Sequence, residues 1–189
     1  MPTIDPPCVP PLADSPCAPA RARFFYVVAP SKFVILFVAT FGFYFPYWSY
    51  RNWRRYRDTT GIKVIPWLRA VLNDLFIYSL VMKIDRQVQR LAEPPRWHPR
   101  LLALAIILTA LGGSIQVWVP NNLLGLAAGL GVFVLQTYWL LCVQKAINAV
   151  EGDPQGQANA RLSGLNRLWV ALGGCVWFLT LGSVALELR

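Results

Sequence analysis

The 44 residues from Leu101 to Gln144 contain no Asp, Glu, Lys, Arg or His, and Arg100 and Lys145 stand at the two ends. A hydrocarbon layer about 30 Å thick is crossed by roughly 20 apolar helical residues, so the run accommodates two crossings and a turn. Pro120-Asn121-Asn122 supplies the turn, because proline lacks a backbone donor and the two amides favour reversal. The run reads as a membrane hairpin with spans at 101–119 and 122–144.

Two further stretches reach spanning length: Phe33 to Tyr50, with 18 uncharged residues, and Leu168 to Leu186, with 19. The expected fold class is all-α, a polytopic membrane helical bundle of about four transmembrane helices (33–50, 101–119, 122–144, 168–186) and one interfacial helix. The interfacial helix is 66–91. There Trp67, Leu68, Val71, Leu72, Leu75 and Met82 recur at helical spacing, Ile77, Leu80 and Val81 lie on the other side, and charges interrupt; a fifth span is the alternative. Residues 1–30 hold eight of the fifteen prolines without apolar periodicity and read as a disordered tail before a single domain, 31–189.

The net charge of +9 follows bilayer topology rather than a nucleic-acid surface, because the basic residues fall between apolar runs. With four spans, loops 51–100 and 145–167 share one face and hold 14 of the 18 Lys and Arg. If 33–50 instead dips in at Gly42 and Pro46 and returns, the split becomes 17 to 1, provided protein covers the bend. Either way the basic face is cytoplasmic. Trp48, Trp53, Trp67, Trp97 and Trp169 are expected near that boundary, with one indole edge in water.

Candidate sites are few. Arg51, Arg54, Arg55 and Arg57, interleaved with Trp53 and Tyr56, are candidate contacts for anionic headgroups of the lipid bilayer. Gly125 and Gly129 form a GxxxG, a candidate helix-packing face within the bundle, in a homo-oligomer or with another membrane protein. Asn148, Asp153, Asn159 and Asn166 surround the inner loop as a candidate polar mouth, in which Asp153 and Asn159 also suit the structural task of holding turns. Catalysis finds little: one histidine, His98, at the start of the hairpin, and one acid in a strongly apolar context, Asp74. The four cysteines form no metal-type pair, and phosphate-loop, nucleophile-elbow and dinucleotide motifs are absent, so no cofactor and no enzyme activity are expected.

Thr40-Phe41-Gly42-Phe43-Tyr44 followed by Tyr47-Trp48-Ser49-Tyr50-Arg51-Asn52-Trp53 resembles a signature of small bacterial inner-membrane proteins assigned to domains of unknown function. Gln144-Lys145-Ala146-Ile147-Asn148, Gly152-Asp153-Pro154 and Asn166-Arg167-Leu168-Trp169 resemble the C-terminal half of the same group. The resemblance implies a multi-pass protein of the bacterial inner membrane and transfers no activity. The expectation for function is a non-enzymatic membrane protein acting by helix or partner association, the alternative being a small transporter or lipid-handling protein with a cytoplasmic-side mouth.

Overall fold

The computed structural model describes residues 23–115 and 123–187. Among them the chain is all-helical: α1 Pro30–Ala39, α2 Tyr44–Thr60, α3 Pro66–Val71, α4 Asn73–Val88, α5 Pro99–Ile115, α6 Leu123–Val150 and α7 Gly164–Glu187, with a short 3-10 turn at Gln157–Asn159. The turn expected at Pro120-Asn121-Asn122 and the cysteines Cys8 and Cys17 lie outside the described residues.

Phe33 to Tyr50 is not one spanning helix, which corrects the span expected at 33–50. Proline at its first turn starts α1, and the helix stops after ten residues because Phe41 and Gly42 adopt positive φ, 51° and 84°. Thr40 joins both sides of the break: its hydroxyl donates to Leu36 O (2.8 Å) and accepts from Tyr44 N–H (2.9 Å). Such a conformation is costly for phenylalanine and persists only when its surroundings over-determine it. Here Phe41 stacks on Trp177 of α7 at 4.2 Å, and the Trp177 indole N–H donates to Val38 O. The chain then returns along itself, with Arg23 O bonded to Thr59, Tyr26 N–H to Asn52 and Phe33 ringed by Trp48 and Tyr44. Residues 23–29 and the C-terminal half of α2 therefore lie at the same end.

Residues 23–30, expected as part of the disordered tail, belong to the folded bundle. Phe25 to Ala29 are buried in extended conformation, because Phe24-Phe25-Tyr26-Val27-Val28-Ala29 is an apolar run that the bundle covers. The segment expected as one helix at 66–91 is two, α3 and α4, with α3 against α2 and α4 against α5 and α6. α4 docks through Ile77, Leu80, Val81, Ile84 and Val88, whereas Trp67, Val71 and Leu75 face outward.

α5 and α6 form the centre, burying Leu102, Ala103 and Ile106 against Leu140, Val143 and Ile147. Thr109 hydroxyl bonds Gln136, and a Cβ placed at Gly112 of α5 would stand 3.7 Å from Val132. α7 rests on α1. Its contact stripe is Asn166, Val170, Gly173 and Trp177, at spacings of three and four, and any side chain at Gly173 would overlap the Ala39 carbonyl. Among the described residues one helix, Leu124–Val150, is long and apolar enough to cross a membrane, and only 22% of its most apolar window is buried. Trp48 and Trp53, expected at a wet boundary, are wholly enclosed.

Candidate functional site

Asn52, Gln144 and Asn148, three buried amides of the bundle, converge on residues 23–29, a strap that runs between α2 and the end of α6. An extended segment in an apolar interior has no helical partner for its peptide groups, and each one left bare costs about 1–3 kcal/mol. Side chains from distant parts of the chain supply those partners. Asn148 on α6 accepts from Val28 N–H (3.4 Å) and donates to Val28 O (2.9 Å), pairing with that residue as a neighbouring strand would. Gln144, one helical turn earlier, donates to Tyr26 O and to Asn148 Oδ1 and accepts from the Trp48 indole at 2.5 Å. On α2, Asn52 accepts from Tyr26 N–H and donates to Trp48 O.

Charged groups close the strap's outer half. Glu151 Oε1 accepts from Phe25 N–H at 2.9 Å, and Arg55 donates to Phe25 O at 3.2 Å. Burial raises the Glu151 carboxyl above the ordinary range, opposed by the Phe25 amide and by Arg23 and Arg55. Arg51 sits over the Tyr26 ring at 4.6 Å and donates to the Tyr47 hydroxyl.

The loop between α6 and α7 forms the lid of this end. Gly156, at φ 65°, lies so close to the strap that a Cβ would fall 2.5 Å from Ala29 N. Asn159 donates to Val27 O and accepts from Lys32 Nζ (2.7 Å), and Lys32 also reaches Arg161 O (2.8 Å). Asp153 accepts from Gln157 and Ala158 N–H, both at 2.9 Å, and those bonds hold its carboxyl below the usual value.

The candidate mouth residues thus divide. Asn148 and Asn159 meet at the strap, Asp153 holds the loop, and Asn166 lies on the α7 stripe, apart from both. The mouth is occupied by the chain's own residues 24–29. Of the four arginines expected at headgroups, Arg51 and Arg55 turn toward the strap, while Arg54 and Arg57 pair with Asp58 at the surface. Gly125 is buried and Gly129 half-buried on the α6 face that also carries Val132 and Gln136, the residues touching α5, so that face is turned into the hairpin. Asp74 makes no ion pair among the described residues, and Arg69 lies over the rings of Trp53 and Phe76.

Asn52, Glu151, Lys32 and Gly156 were not legible as one group. Asn52 sits among arginines, Glu151 follows a helix end, and only the reversal at Thr40 brings them to the strap. Searches against protein-family models, curated proteins and solved structures found no match for this chain.

Proposed function

We propose that the chain is a non-enzymatic, multi-pass protein of the bacterial cytoplasmic membrane that works by association, presenting the outward apolar face of α7 to another membrane protein or a second copy. The observation that carries this reading is the exposure on α7: Phe178 is 79% exposed and Leu179 69%, with Leu165, Leu168 and Leu172 also open. A core helix of a water-soluble protein would bury such residues. Outward-facing leucines on α5 and α6 support a surrounding lipid bilayer. In this reading α5, α6 and α7 cross, α1 and α2 dip and return, and 17 of the 18 basic residues share the cytoplasmic side. α3 lies at that interface with Trp67 and Val71 outward. The bend's cover by Trp177 meets the condition for irregular backbone inside a membrane.

Association is favoured over transport because the strap fills the polar mouth, and over catalysis because the titratable groups there are engaged in holding it. Photo-cross-linking amino acids at Leu172, Phe178 and Leu179, in membranes washed at high pH, test the reading. Adducts at these sites, with none at the inward Val170, are expected. Loss of the protein to the wash, or no adduct at any outward site, overturns it.

A further inference from the structure

At the cytoplasmic end of the α5–α6 hairpin lies a groove of about 570 Å³, within the size range of small-molecule sites. Small residues on α6, Cys142, Ala146 and Ala149, form its floor at spacings of four and three, and Ala105 faces them from α5. Trp97 and Trp139 are its aromatic walls, and Trp97 is fixed there by donating its indole N–H to Asp85 at 3.1 Å. From Ala149 to Trp139 the floor descends about 15 Å along α6, toward the middle of the charge-free run.

The rim is cationic. Arg96 and Lys145 line it together with His98, no acid lines it, and Arg100 stands one residue before Leu101 of the wall. Among the described residues none of these basic side chains makes an ion pair or hydrogen bond, unlike Arg54, Arg55 and Arg57 of α2. The site therefore joins unneutralised positive charge at one end to an apolar, aromatic-walled channel running inward. We propose that this groove holds one anionic phospholipid of the cytoplasmic leaflet, its phosphate between Arg96 and Lys145 and an acyl chain along Cys142 and Ala146. The Trp97 indole at the rim suits the headgroup boundary, the deeper Trp139 suits an acyl chain, and paired cations beside a slot distinguish one bound lipid from general attraction to a charged surface. The proposal rests on the membrane placement above.

The test is native mass spectrometry of the full chain released from nanodiscs holding equal phosphatidylglycerol and phosphatidylcholine. The expected result is retention of one phosphatidylglycerol, with the preference falling about tenfold when both rim cations are neutralised, Arg96→Gln with Lys145→Gln. Ala146→Trp fills the slot and leaves the rim charge intact; it is expected to abolish retention. Ala149→Leu is the milder filling variant if Ala146→Trp does not reach the wild-type helical signal. Arg54→Gln with Arg57→Gln removes equal charge from α2 and is expected to leave retention unchanged. The proposal is overturned if that control matches the rim variant, if a filled groove retains lipid normally, or if filling dissociates a dimer without altering lipid. A chain that resists the alkaline wash yet shows no lipid preference sinks the site alone; one that washes out sinks the membrane reading as well.

Discussion

α6 and α7 are both long, apolar and sparsely charged, yet they do opposite things. α6 packs on α1, α4 and α5, and its last turns carry Gln144 and Asn148, both wholly buried, into the strap. Among the described residues α7 makes no side-chain hydrogen bond to the strap, meets α1 through one stripe and leaves Leu165, Leu168, Leu172 and Leu179 outside. Hydropathy alone therefore does not rank two such helices. What separates them is whether polar side chains within the apolar run find partners, because an amide buried without one is costly and an amide that pairs a bare peptide relieves two costs at once.

The sharpest way to break the contrast is to remove the central amide. Asn148→Leu strands Val28 N–H and Val28 O and takes an acceptor from Gln144, so a loss of about 3–5 kcal/mol is expected. Thermal unfolding in detergent measures it, and trypsin should cut faster at Arg23, where the strap begins. Unchanged protection of Arg23 would mean that the strap is held by its apolar side chains alone. Next in size is Gly156→Ala. It imposes a Cβ at φ 65° against the Ala29 backbone, and about 2–3 kcal/mol of destabilisation is expected. The same assay should show the loop and strap loosening together.

α7 supplies the counter-case. Gly173→Leu puts a side chain where the Ala39 carbonyl lies, so the helix must leave α1. Because no described α7 side chain hydrogen-bonds the strap, the expected cost is about 1–2 kcal/mol, with protection at Arg23 retained. If Arg23 became as exposed as in Asn148→Leu, the two helices would not differ in the way described.

The parts of this architecture legible in the sequence are those governed by run length. Three long helices follow from stretches of 44 and 19 uncharged residues, since charge-free runs of that length have few alternatives to helix. The break at Thr40 to Phe43 was legible only as Gly42 and Pro46, and Pro46 lies in the first turn of α2, where it starts a helix rather than interrupting one. The strap was hidden by its neighbours: twenty proline-rich residues precede it, and its apolar run is too short to span. Its partners were hidden for a different reason. Asn148 and Gln144 share a face of α6 at a spacing of four, which marks an amide stripe, but nothing local says what lies opposite. Only the reversal of α1 and α2 brings Tyr26 and Val28 there.

The smallest expected effect separates the two carboxylates of the α6–α7 loop. Glu151 has its folded carboxyl raised by burial, so in the folded chain it keeps its proton to higher pH than in the unfolded chain. Its contribution is complete below the unfolded value, about 4.3, and is lost as pH rises through the folded value. Asp153 is shifted the other way by two backbone N–H groups, so its contribution is present above the unfolded value and disappears as pH falls through the folded one. Glu151→Gln keeps an acceptor for Phe25 N–H and removes the titration. Unfolding temperatures from about pH 4 to about pH 7 should then lose their decline toward neutral pH, while Asp153→Asn should remove a fall that lies below about pH 4. A steeper neutral decline in Glu151→Gln would show that Arg23 and Arg55 outweigh burial at this carboxylate, making Glu151 an ion-pair partner of the strap rather than a buried acceptor for it.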